Sequence, residues 1–235
     1  MNKSKSHPKI KDKIRTCIYC GAVADTKDHI PSKNLYREID KNFNPIKIPS
    51  CKKCNSDLSK DEEYFRNVIS SIQYENSISA STLFETAVKR SMQRKPSLGI
   101  SIWKQMSLVD FYNPSGIYLG KKTAWELTEE NYERIFRVLD KYIKGLFFHH
   151  FCETIPKDWI IKHVWLMPKN EEMLGKAAKE FKWVILNENI FLYGFNSFPK
   201  THQSIWCLVF YGKPFFFSFV LDPKTAKDAD RKYKK

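Results

Sequence analysis

Two cysteine pairs constrain this chain more than any other feature. Cys17-x-x-Cys20 and Cys51-x-x-Cys54 stand thirty residues apart, while Cys152 and Cys207 follow no such pattern. A two-residue gap lets both sulfurs of a tight turn face one tetrahedral ion, with Zn–S bonds of about 2.3 Å. Turn chemistry accompanies each pair: Gly21 follows the first and Pro49-Ser50 precedes the second. A redox C-x-x-C needs one pair and a βαβ context, and the sequence offers no such context. The four cysteines therefore read as a structural zinc site, closed because four thiolates leave no open position for water. Cys152 and Cys207 lie in apolar surroundings and read as buried core thiols.

The loop between the pairs carries Lys27-Asp28-His29-Ile30-Pro31, and the second pair runs directly into Asn55. Phosphodiester hydrolysis needs a group that takes a proton from water, which neutral imidazole does near pH 7. It also needs a cation to neutralise charge building on phosphate, and hard oxygen donors hold such an ion. In an extended segment the neighbours Asp28 and His29 point to opposite faces. A zinc clamp between the pairs would bring residues 28 and 55 together.

Cys17-x-x-Cys20-Gly21, Asp28-His29-Ile30-Pro31, Ile48-Pro49-Ser50-Cys51-x-x-Cys54-Asn55 and Ser59-Lys60-Asp61-Glu62-Glu63-Tyr64 together resemble the HNH nuclease motif in its four-cysteine, ββα-metal form. The resemblance covers about residues 15–66. It implies His29 as general base and Asp28 as a ligand of the catalytic divalent ion. Asn55 matches the motif's last position, a second metal ligand, where many relatives carry histidine. An amide oxygen there tilts the expected ion toward Mg²⁺ or Mn²⁺. Asn44 sits where the family places the residue that braces the catalytic histidine, with Asn34 and Asn42 as competitors. The resemblance further implies DNA cleavage to 5′-phosphate and 3′-hydroxyl ends, and a setting in anti-phage defence, restriction or a mobile element. A treble-clef zinc module that binds nucleic acid without catalysis is the alternative, as is a nuclease switched on by a partner.

Charge agrees with a polyanionic partner. Forty Lys and Arg against twenty-six Asp and Glu give +14. Residues 1–16 carry +5 and residues 222–235 carry +3, leaving +6 on the body. Each phosphate neutralised by a basic side chain releases condensed counterions, so DNA is the expected partner, with RNA not excluded. No apolar leader follows the first lysines, and Lys213-Pro214 interrupts the apolar stretch Ser204–Leu221. That stretch reads as a hairpin rather than a membrane span, and the chain reads as a cytoplasmic protein with no membrane partner.

The fold class is α+β: a treble-clef-like N-terminal module, then a helix-flanked antiparallel-sheet domain. The chain divides into a basic tail (1–16), the nuclease module with following helices (17–95), an α+β domain of unassigned role (96–221) and a basic C-terminal tail (222–235). Ser59-x-x-Glu62 reads as a capping box opening a helix over 60–74, with Asp61-Glu62-Glu63 favouring its N-terminus. A softer helix covers 80–90, and Pro96 marks a boundary. Thr128 caps a long helix striped by Tyr132, Ile135, Phe136, Leu139, Ile143, Leu146 and Phe147, ending at His149-His150, which read as capping or surface groups. Strands are expected at 159–167 and 189–195, a short helix at 170–181, and a hairpin at 205–211 and 215–221. Lys121-Lys122 reads as a solvated turn beside a core Trp125, and Phe215-Phe216-Phe217 as core or interface. A partner protein or second copy would dock on this C-terminal part.

Overall fold

The computed structural model describes residues 16–113, 115–166, 176, 179–198, 201–213 and 215–233. The fold is α+β, with antiparallel sheets throughout. Near the N-terminus, β1 (Thr26–Ile30) and β2 (Ile46–Ser50) form a hairpin in which Asp28 lies opposite Ile48 and His29 opposite Lys47. The connection between them contains a 3-10 turn, Lys33–Leu35. Then come α1 (Lys52–Asp57) and α2 (Ser59–Ile72). A continuous helical stretch follows: α3 (Ile78–Leu83), a π turn (Phe84–Val88) and α4 (Lys89–Arg94). Pro96 then opens α5 (Pro96–Trp103), at the first helical position, where its missing N–H costs nothing.

The long helix α6 (Glu129–Phe151) begins as expected, with Thr128 and Asn131 in a reciprocal capping box. It lies between α2 and a five-stranded sheet of order β5-β9-β8-β7-β6. Those strands are β5 (Ile160–Leu166), β6 (Lys182–Asn187), β7 (Phe191–Ser197), β8 (Ser204–Phe210) and β9 (Phe215–Leu221). Four of them fall where their apolar runs predict. The fifth, β6, has no counterpart among the expected strands, and the helix expected just before it, over 170–181, lies largely outside the described residues. Phe65 of α2, Tyr142 of α6 and Phe210 of β8 meet at centroid distances of 5.2 to 6.1 Å. One buried cluster runs from Ile30 and Ile48 through these rings to Phe216 and Val220, so residues on both sides of Pro96 share a core.

A glycine sets how closely the first hairpin approaches α6. A Cβ on Gly145 would fall well inside van der Waals contact of Ile30 Cδ1 and within 3.3 Å of Ile48 Cγ1. Mid-helix glycine is costly by itself, and here it lets Ile30, fully buried, lie on the helix backbone.

Several expectations need correction. Ser59 is the first residue of α2 rather than its cap, and no side chain caps that helix. The Glu62 carboxylate is used elsewhere, as described below. Lys121 and Lys122 lie within a strand, β4 (Tyr118–Trp125), paired with β3 (Met106–Tyr112); Lys122 Nζ sits 4.0 Å from the centroid of the Phe111 ring. This hairpin exposes Leu108, Val109, Phe111, Tyr112, Tyr118 and Leu119, which is why no alternation betrayed it. Cys152 is exposed, not buried. It follows α6 in a left-handed turn, φ 58°, so its side chain leaves the helix's apolar stripe. Cys207 is buried as expected. The C-terminal segment is a helix, α7 (Pro223–Tyr233), started by Asp222, which accepts from the Thr225 N–H at 2.8 Å. His150 packs under the sheet, its ring 4.2 Å from that of Phe195, with Nε2 2.9 Å from the Tyr193 hydroxyl.

Candidate metal centre and adjoining cavity

The first cysteine pair sits on a tight turn in which Cys17 N–H donates to Ala22 O at 2.6 Å and Gly21 N–H to Cys17 O at 2.8 Å. Gly21 takes φ +77°, a conformation that favours glycine. The second pair straddles the start of α1, where Cys51 is the N-cap and its sulfur accepts from Cys54 N–H at 3.4 Å. The four Sγ atoms lie within 4.8 Å of one another, with Cys20 and Cys51 3.8 Å apart. Burial pushes the Cys17 thiol up, but N–H donors, that of Cys51 foremost, outweigh it and bring it down to about 6. These four thiols are placed to bind one metal ion. They form the only such cluster of three or more His, Cys, Asp or Glu among the described residues.

Beside this centre lies a cavity of about 600 Å³, lined by Asp28, His29, Asn55, Asn34, Ser32 and Glu62 and rimmed by Lys27, Lys33, Lys60, Lys95 and Arg66. His29 comes from β1, Asn55 from α1 and Glu62 from α2. Burial, with the nearby Lys33, holds the His29 imidazole below its usual pKa, and Asp28 opposes this only in part. At neutral pH the ring is therefore a free base. Asn55 Nδ2 donates to Thr26 Oγ1 at 3.3 Å and to Lys27 O at 3.4 Å.

Asp28 is the most tightly held of these groups, 3% exposed. Its Oδ1 accepts from the His29 N–H at 2.8 Å. Its Oδ2 accepts from the Tyr19 hydroxyl at 2.9 Å and faces Lys141 Nζ at 3.0 Å. Lys141 reaches in from α6 and also meets Glu62 Oε1 at 2.7 Å and the Asn55 carbonyl at 3.4 Å. Glu62 Oε1 in turn accepts from Ser32 Oγ at 2.6 Å, and Ser32 Oγ accepts from the Tyr142 hydroxyl at 2.9 Å. The flanking carboxylates of α2 tie it to other elements: Asp61 to Arg134 and Arg137 of α6, each at 2.9 Å, and Glu63 to Ser91 and to Lys95 at 2.8 Å.

The structure thus brings Asp28, His29 and Asn55 to one cavity and sets the four cysteines beside it. Asn44 is elsewhere: it is exposed in the loop ahead of β2 and does not line the cavity. Asn42 is exposed too. Asn34 does line it, and its Oδ1 is buried without a hydrogen-bond partner. A spare acceptor there suits a donor such as an imidazole N–H. Sequence reasoning missed Tyr19, Lys141 and Ser32. Tyr19 was the most accessible of them, since it stands between the two cysteines of the first pair. Comparison with protein-family models, with curated proteins and with solved structures finds no match. Among the described residues, no helix is long and apolar enough to cross a membrane.

Proposed function

We propose that this chain is a metal-dependent endonuclease of the HNH type that hydrolyses DNA phosphodiester bonds. The observation that carries this reading is the meeting of His29, Asp28 and Asn55, from β1 and α1, in one basic-rimmed cavity beside the four cysteines. A tetrahedron with Zn–S bonds of about 2.3 Å has edges of about 3.8 Å, and the Cys20–Cys51 separation is 3.8 Å, so the donor set suits structural Zn²⁺.

The second ion has a carboxylate and an amide available, a set that suits a largely hydrated Mg²⁺ or Mn²⁺. Asn55 commits its Nδ2 to the protein and keeps its oxygen for a ligand, and Asp28 keeps acceptor capacity on Oδ1, which takes one N–H. Held by Asp28 and Asn55, that ion would neutralise charge on the phosphate and the leaving oxygen. The chain's own residues do the rest. Lys27, Lys33 and Lys60 draw the polyanion to the rim. His29, neutral at pH 7, takes a proton from water as the water oxygen bonds to phosphorus. The P–O3′ bond breaks, the 3′ oxygen picks up a proton from solvent, and the phosphate stays on the 5′ side.

Asn34 takes over from Asn44 as the residue we assign to brace the imidazole. The setting we infer is cytoplasmic, in defence, restriction or a mobile element. Plasmid nicking with Mg²⁺ or Mn²⁺, with and without chelator, tests the reading. His29→Ala is expected to cut at least 100-fold more slowly, on the order of a lost general base. A folded His29→Ala protein with undiminished cleavage rejects it. The exposed apolar β3–β4 hairpin favours a second reading, a nuclease silent until a partner protein or second copy docks. Activity appearing only on reconstitution would select it.

A further inference from the structure

Next to the His29 cavity lies another of about 430 Å³, between the 3-10 turn, α2 and α4. Lys33, Asn34, Glu63, Arg66 and Lys95 line both. The second adds Arg37, Arg90 and Arg94, all exposed. Its acidic residues are largely spoken for: Glu63 holds Lys95 and Ser91, and Glu38 lies 3.9 Å from Arg90.

Arg66 differs from the other cations. It is only 9% exposed, yet it borders both cavities. Its Nε and Nη2 both donate to one neutral acceptor, Asn67 Oδ1, at 3.0 and 2.8 Å. Among the described residues no carboxylate lies within 4.0 Å of it. Burial also draws its pKa below the ordinary guanidinium value. Glu63 and Glu38 oppose that shift only from beyond contact distance; a buried guanidinium with no carboxylate in contact is costly, and its planar fork matches phosphate oxygens.

We infer that Arg66 anchors a phosphate subsite that takes a backbone phosphate of the polynucleotide beside the one presented to His29, with Arg90 and Arg94 leading the strand along α4. The inference rests on the nuclease reading for the identity of the strand, but it concerns binding rather than cleavage.

The test is fluorescence anisotropy with a labelled oligonucleotide duplex and the full chain, in chelator so that nothing turns over, across a salt series. Arg66→Gln removes the charge while keeping an amide donor for Asn67. Arg90→Gln/Arg94→Gln, on an exposed helix face, covers the case in which Arg66→Gln fails to fold. We expect roughly ten-fold weaker binding for either variant, and a salt slope lower by about 0.9 for each phosphate contact removed. Lys224→Gln/Lys227→Gln, on α7 and outside both cavities, should leave the slope unchanged. Chelator abolishes turnover, so this assay reads binding alone, and a failed nuclease assay and a failed binding assay remain separate results. Inorganic phosphate titrated at constant ionic strength separates the two sources of the group. Wild-type slopes and affinities in both arginine variants would overturn the subsite. So would tight inorganic phosphate binding with no dependence of oligonucleotide affinity on Arg66, which would assign the cavity to a free phosphate.

Discussion

Lys141→Met should be among the most damaging single changes this protein can suffer outside its cysteines. The side chain is 4% exposed, and its ammonium lies 2.7 Å from Glu62 Oε1 and 3.0 Å from Asp28 Oδ2. At an effective dielectric of about 20, each pair near 3 Å is worth about 5 kcal/mol of attraction. Desolvation of several kcal/mol per ion offsets most of that sum. The triad as a whole is therefore close to neutral in stability, but its dissection is not. Methionine keeps the aliphatic packing and removes the charge, which leaves two buried carboxylates facing each other without a cation. The expected loss is about 3–5 kcal/mol, read by urea titration of tryptophan fluorescence. Adding Asp28→Asn and Glu62→Gln to Lys141→Met should recover most of it, since no buried charge then lacks a partner. A loss below about 1 kcal/mol for the single variant would equal that of a solvated surface pair and refute the reasoning. The pH sign is also fixed. Burial lowers the Lys141 pKa, while Glu62 and Asp28 raise it and win, so it ends above 10.5. Its contribution is complete below pH 10.5 and is lost only as the solution rises through that higher folded value.

Three further outcomes follow from the same geometry. Gly145→Ala should destabilise the fold by about 1–3 kcal/mol, because the new methyl drives Ile30 off the α6 backbone; a thermal melt equal to wild type would contradict this. The His29 pKa is depressed, so the acid limb of kcat/KM should fall below pH 6.5, and Lys33→Gln should move it upward. The same depression costs stability in acid: the unfolded chain binds the proton first, so the contribution falls as pH drops from 6.5 through the folded value. Cys54→Ser, or prolonged chelation, should release the bound metal and raise amide exchange across residues 16–57 far more than in α6, measured by hydrogen exchange with mass spectrometry.

Much of this architecture was legible because it obeys local periodicity. The stripe from Tyr132 to Phe147 made α6 plain, and the apolar runs around Trp206 and Phe216 marked β8 and β9. The cysteine spacing located the four-thiol cluster, placed to bind a metal ion, without any knowledge of the fold. What stayed hidden depends on long-range partners. A lysine in an amphipathic helix is read as solvent-facing, yet Lys141 is buried because its acceptor Glu62 lies 79 residues away. Glu62 looked like half of a capping box, since Ser59-x-x-Glu62 fits that pattern, but α2 begins one residue earlier than the pattern needs and frees the carboxylate for Lys141 and Ser32. The sequence does carry one signal of this burial: Gly145 sits four residues after Lys141, and glycine inside a helical stripe marks close approach of another backbone or side chain. The β3–β4 hairpin escaped for the opposite reason. Both its faces are largely exposed up to its last residues, Ala124 and Trp125, so no burial pattern was imprinted on its sequence.

The arrangement around Asp28 shows how a small module can hold one carboxylate in place. Tyr19, carried by the first cysteine turn, approaches Oδ2 from one direction, and Lys141, carried by α6, approaches it from another. The backbone N–H of His29 fixes the other oxygen. Asp28 is thus held by the cysteine module and by the large core independently, and the imidazole on the next residue inherits that position through the strand. Loss of the metal would remove the Tyr19 hold but not the contacts from α6, because Ile30 on Gly145 and Tyr142 on Ser32 are made by the core. Loss of Lys141 would remove the core's hold while the cysteine turn stands. Two supports of different chemistry, a four-cysteine cluster placed to bind a metal and a buried ion pair, converge on one carboxylate. On the nuclease reading proposed above, a base and oxygen donors must be placed to within a fraction of an ångström, and that redundancy gives what neither support provides alone.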